Sequence, residues 1–166
     1  FGWEGLFSLK NINPAVITEV LPGQITTEFA SKGEVTDKGV VASFDIAALE
    51  GQLRGRNISL HGNVALDETA VHMDGLTVMS GDVQGRAEID KAMFSWAQNP
   101  SWAADISFKN FDPVVLHPEI YGKVNAHFSG SGRRGETGIE GHVSIRDLSG
   151  TLRGHALSGG GDIQLQ

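Results

Sequence analysis

The chain has 166 residues, 40% of them hydrophobic and 20% charged, a balance that suits a folded protein rather than a disordered one. A formal net charge of −7 leaves no basic excess to displace counterions from a phosphate backbone, so nucleic acid is excluded as a partner. Zero cysteines exclude disulfide scaffolds, thiolate zinc sites and CxxC redox chemistry.

The 22 glycines are about twice the usual share and point to turns and bulges rather than long helices. In chain order, the first strand follows Trp3 and carries Phe7 and Leu9 on one face. Asn13-Pro14-Ala15-Val16-Ile17 then places a capping side chain before a proline at the first helical position, and Pro22 limits the element to a turn or two. Alternation resumes with Ile25, Thr27 and Phe29, then Ala42, Phe44 and Ile46, then Val64 and Leu66. It continues with Val71 and Met73, Leu76 and Val78, and Phe94 and Trp96. A turn at Gln98-Asn99-Pro100 leads to Ile106 and Phe108 and to a second capped proline, Asp112-Pro113-Val114-Val115-Leu116. Val124, Phe128, Val143, Ile145 and Ile163 carry the pattern onward. Glycine, one variable residue and an aliphatic recur at Gly23/Ile25, Gly51/Leu53, Gly62/Val64, Gly81/Val83, Gly122/Val124, Gly150/Leu152 and Gly161/Ile163. Short period-two runs between glycines read as antiparallel strands with one apolar face.

The chain also repeats itself. At an offset of 99, residues 1–67 match 100–166 without a gap and with 19 identities in 67 positions, where chance gives about five. Trp3 falls on Trp102, Pro14 on Pro113, Phe29 on Phe128, and Leu49-Glu50-Gly51-Gln52-Leu53-Arg54-Gly55 on Leu148-Ser149-Gly150-Thr151-Leu152-Arg153-Gly154. A gapless period keeps strand and turn lengths as well as residue types, as stacking into one sheet requires. The expected organisation is one unit over 1–99 and a truncated second over 100–166, in one continuous sheet. The alternating run Asp162-Ile163-Gln164-Leu165-Gln166 has no closing turn, which suggests a piece of a longer protein. No apolar run approaches the ~18 residues that span a bilayer.

Candidate chemistry is sparse. His61, His72, His117, His127, His142 and His155 form no HxH or HxxxH pair, and read as surface or strand histidines. Asp67/Glu68 and Asp45/Glu50 read as turn or polar-face carboxylates. Ser129-Gly130-Ser131-Gly132 and Gly159-Gly160-Gly161 lack the context of a nucleophile elbow or phosphate loop, and the first reads as a hairpin turn. Arg54 and Arg153 recur at one repeat position, which suggests a structural role such as guarding a strand edge. The expectation is no enzyme, no cofactor and no metal.

Leu-x-Gly-x-Leu-Arg-Gly at Leu49–Gly55 and Leu148–Gly154, the Leu-Ser-Gly-x-Gly that follows at Leu157–Gly161, and a tryptophan-led strand ending in Asn-Ile-Asn-Pro or Asn-Phe-Asp-Pro resemble the TamB proteins of the AsmA-like group. That resemblance implies an all-β fold: an elongated, strongly curved antiparallel sheet, taco-like, of stacked repeats with an apolar concave groove. It implies a periplasmic segment of a protein anchored in the inner membrane of a Gram-negative bacterium. Its groove would shield acyl chains for phospholipid transport between the two membranes, in outer-membrane biogenesis with a TamA-like barrel partner. The groove positions are Phe7, Leu9, Ile25, Phe29, Phe44, Ile46, Val64, Leu66, Val71, Met73, Val78, Phe94, Trp96, Ile106, Phe108, Val124, Phe128, Val143, Ile145 and Ile163. Two alternatives stay open at this point. One is a chaperone-like scaffold that holds unfolded outer-membrane protein clients. The other is a structural stalk repeat of a surface adhesin, its apolar face closed into an ordinary core.

Overall fold

Alternation of this kind needs partners on both sides, and the computed structural model supplies them within the chain. It describes residues 1–16, 22–81, 85–115, 117–136 and 138–166; Ile17, Val83 and Leu116 lie outside the described residues. Strands run over Gly2–Ile12 (β1), Gly23–Val35 (β2), Val40–Leu53 (β3), Arg56–Leu66 (β4), Ala70–Ser80 (β5), Gly85–Ser95 (β6), Ser101–Phe111 (β7), Gly122–Arg134 (β8), Ile139–Leu152 (β9) and His155–Leu165 (β10). They form one 10-stranded antiparallel sheet in sequential order, open rather than closed into a barrel, with β1 and β10 outermost. The two capped prolines form short 3-10 turns, Pro14–Val16 and Pro113–Val115. The chain is all-β.

The period of 99 is visible in the backbone. The bounds of β1 to β4 recur 99 positions later as those of β7 to β10. Hydrogen bonds recur with them: Arg54 N–H donates to the Pro22 carbonyl and Arg153 N–H to that of Tyr121, both at 2.8 Å. Gly51 and Gly150 show why glycine repeats too. A Cβ on either would sit about 2 Å from the carbonyl oxygen of a paired strand, that of Gln24 or Lys123.

Three sequence readings change here. Leu-Arg-Gly does not guard an edge: Arg54 and Gly55 (φ 53° and 73°), like Arg153 and Gly154 (51° and 79°), are the central residues of two-residue hairpins. Positive φ at both is the type I′ geometry that matches strand twist. Ser129–Gly132 is strand, not turn, within β8. Its glycines clear room for Trp102, whose ring atoms would lie 3.1 Å and 2.7 Å from a Cβ on Gly130 and Gly132. Finally, the runs Val71/Met73 and Leu76/Val78 belong to one strand. Gly75, at φ 59°, sits between them where the β4–β5 register shifts, and returns Leu76 to the face of Met73.

The sealed core is small. Its one cluster among the described residues joins buried Ala87, Phe111 and Val115, with Ile58, Val78, Phe108 and Val114 packed against them, and Ala42, Ala70 and Leu76 are buried singly elsewhere. The Pro113–Val115 turn thus folds back over the apolar side of the sheet.

Candidate functional site

Directly paired residues of antiparallel strands lie on the same face, and alternate residues of a strand share it. The registers can therefore be followed across the sheet. Phe7 pairs with Phe29, and Phe29 with Ile46. Phe44 pairs with Val64, Val64 with Met73, and Met73 with Ala92. Leu66 pairs with Val71, Val71 with Phe94, and Phe94 with Trp102. Ile89 pairs with Ile106, Ile106 with Phe128, and Phe128 with Ile145. Val143 meets Ile163 at the far edge, Leu9 continues from Phe7 opposite Thr27, Ile25 joins opposite Ile12 and Gly51, and Val124 opposite Phe111 and Gly150. Val78 and Phe108 both face Ala87. All the predicted positions within strands thus share one face. Trp96 lies just past the end of β6, two residues beyond Phe94.

The other face is polar along the same strands. One row reads Asp45, Asn63, Asp74, Lys91, Asp105 and Ser129 from β3 to β8. Beside it Glu4 pairs with Lys32 across 3.4 Å, and His127 Nε2 lies 2.7 Å from Asp105 Oδ1. His72 Nε2 meets Asp67 Oδ2 at 3.0 Å and His142 Nε2 meets Asp162 Oδ1 at 3.4 Å. Among the described residues no group of three or more potential metal ligands occurs. Asp67 is held below the ordinary aspartate range, first by the Thr69 backbone N–H and then by His72.

The apolar face is only partly sealed. Phe94, Trp96 and Ile163 are each about half exposed, and Phe7 and Leu9 about two-fifths. Among the described residues Phe111, Val115 and Leu76 are the large apolar side chains that are buried, at 3%, 4% and 7% exposed. The aromatics form contiguous groups: Phe7 stacks on Phe29 with ring centres 5.3 Å apart, Phe44 lies 6.0 Å from Phe29, and Phe94 6.5 Å from Trp96. Val78 and Phe108 differ from the rest, because the Pro113–Val115 turn covers them.

The tryptophans mark the strand ends. Trp3 Nε1 donates to Ser31 Oγ at 3.0 Å, and Trp96 Nε1 donates to the Glu68 carbonyl at 3.2 Å. Trp102, Phe94, Ile139 and the two arginines Arg133 and Arg134 line a hollow of about 540 Å³. Two further hollows, about 540 and 610 Å³, lie mainly against the polar face, the first beside Lys32, Asp45 and Asp74 and the second beside Asp74, Lys91, Asp105 and His142. Apolar periodicity carries no signal for these, since it reports only which residues avoid water. Their polar residues are legible only once register sets them side by side.

The exposed surface is large for the mass. A compact monomer of 17.7 kDa exposes about 7,900 Å², whereas this chain exposes 10598 Å². Among the described residues no helix is long and apolar enough to cross a membrane. Comparison with protein-family models, curated proteins and solved structures finds no match to the chain.

Proposed function

We propose that the apolar face is a surface for acyl chains, and that the chain is a non-enzymatic segment of a lipid conduit. The observation that carries this reading is an apolar face assembled across the whole sheet but only partly sealed: five of its twenty predicted positions are exposed and none is buried. A sheet with one apolar face ordinarily buries it against a second layer. Here large side chains along it stay partly exposed, and the total surface exceeds the compact value by about a third. An acyl chain laid on such a face is shielded at about 0.8 kcal/mol per methylene. Repeated weak contacts of this size suit movement along the face better than one tight pocket, because a ligand that travels must also leave each position.

The resemblance to the TamB proteins supports the wider setting. On that basis the sheet curves into a taco-like trough with Phe29, Phe44, Val64 and Met73 inside it. The whole protein is anchored in the inner membrane, crosses the periplasm and meets a TamA-like barrel. Phospholipid is the cargo. A second reading, a scaffold for unfolded outer-membrane clients, is favoured by one observation: among the described residues the outer edges of β1 and β10 have no strand partner. Free edges can accept an extended client by backbone pairing.

Phe44→Asp and Met73→Asp separate the readings. On an open face the new carboxylate keeps its water when lipid is absent, so the chain melts only a few degrees lower. Acyl-chain binding, followed with a fluorescent fatty acid, is then lost, because stripping an unpaired charge costs several kcal/mol. Collapse of the fold would mark an ordinary closed core. Unchanged acyl binding in a folded variant would end the proposal.

A further inference from the structure

The two 3-10 turns are built alike and end in opposite surroundings. Asn13 Oδ1 accepts from the Ala15 N–H at 3.0 Å, and Asp112 Oδ1 accepts from the Val114 N–H at 3.1 Å. Yet Val115 is 4% exposed, while Val16, its counterpart one period earlier, is 85% exposed. The cause is visible in the packing. Val115 lies in a cluster with Ile58 of β4, Val78 of β5 and Ala87 of β6, the three strands that precede β7. β7 gives its edge to β6, whereas among the described residues the equivalent edge of β1 has no strand beside it.

We propose that the outer edge of β1, together with the Pro14–Val16 turn, is a docking site for an antiparallel sheet segment of the β4–β6 pattern. Its terminal strand pairs with β1 in the register that β6 uses on β7. Nothing in this rests on the acyl-chain reading, since it follows from backbone pairing and the packing of one turn. A second copy of this chain does not offer such a segment: its β6 is already paired by β5 and by β7, and its outermost strand β10 is the counterpart of β4 rather than of β6.

The occupant's chemistry follows from the register. Shifted by one period, the positions of Phe94, Ala92, Ile89 and Ala87 come opposite Trp3, Gly5, Phe7 and Leu9. The residue opposite Leu9 must be small, as Ala87 is, for the turn's valine to settle on it. On the other face, Lys91 opposes Asp105, but β1 carries Leu6 at the equivalent place, 88% exposed. An apolar residue at the Lys91 position would therefore match β1 better than the lysine that suits β7.

The test adds residues 56–99 in front of Phe1 of the full chain, so that an extra β4–β6 segment stands one period ahead of β1. Val16→Asp is then placed in both the extended and the original chain. The expected result is a fall in melting temperature of about 5 °C or more in the extended chain and less than about 2 °C in the original. Because the chain has no cysteine, a pair introduced as Glu4→Cys in the original β1 and Met93→Cys in the added copy reports register directly. It should close a disulfide in mild oxidant, and a partner moved one residue, Ala92→Cys, should not. Equal effects of Val16→Asp in both chains would overturn the proposal. So would failure of the introduced pair to close, or an added segment unprotected in hydrogen exchange.

Discussion

Val115 and Val16 occupy one repeat position in opposite environments, so the same substitution tests the packing from both sides. Val→Ala removes two methyl groups, worth about 1.6 kcal/mol at the usual 0.8 per buried carbon. At Val115, 4% exposed among Ala87, Phe111, Val78 and Ile58, a residual cavity raises the cost to about 2 kcal/mol. A domain of this size loses about 2–4 °C of melting temperature per kcal/mol, so Val115→Ala should melt about 4–8 °C lower. Val16, 85% exposed, has almost nothing to lose, and Val16→Ala should stay within about 0.5 kcal/mol of the starting chain. Thermal unfolding followed by circular dichroism reads both. Equal shifts, or a larger one at Val16, would refute the claim that only the second turn is seated on the sheet.

The repeated glycines make a second prediction. Gly51→Ala places a Cβ 2.1 Å from the Gln24 carbonyl oxygen, which forces the strands apart and should cost about 1–3 kcal/mol in denaturant unfolding. Gly55→Ala, with no atom within 4 Å of the added Cβ, should cost less, limited to the strain of its positive φ. A third prediction concerns acid. The Asp67 pKa is lowered in the folded chain, so its contribution to stability is present above the unfolded value and lost as pH falls through the folded one. Asp67→Asn should therefore lower the melting temperature at neutral pH, and the difference should shrink as pH falls through the range where Asp67 takes up its proton in the folded chain. A difference that persists unchanged in acid would contradict it.

The strands are legible in the sequence because burial of one face writes a period of two, and Phe29, Phe44, Val64 and Met73 all obey it. Register is not. The pairing that puts Phe44 beside Val64 depends on where bulges fall, and a bulge such as that at Gly75 looks in sequence like a break between two strands. Arg54 misleads for a related reason. A recurring arginine shows that a position matters but not that its backbone is left-handed, which only the two-residue hairpin reveals. Ser129–Gly132 has turn composition, yet its glycines serve the ring of Trp102 on the neighbouring strand, a contact no local window contains. The exposure of Val16 is invisible for the same cause, since it depends on strands beside β1 and not on the turn itself.

Whether the apolar face holds acyl chains can be read from what the protein carries. The chain would be purified without detergent from bacteria that supply their own lipids, extracted into organic solvent and read by mass spectrometry, beside Phe44→Asp prepared in the same way. Phospholipid is expected in the extract of the original chain and should be missing from that of the variant. An extract free of phospholipid, or one equally rich from the variant, would contradict the acyl-chain reading.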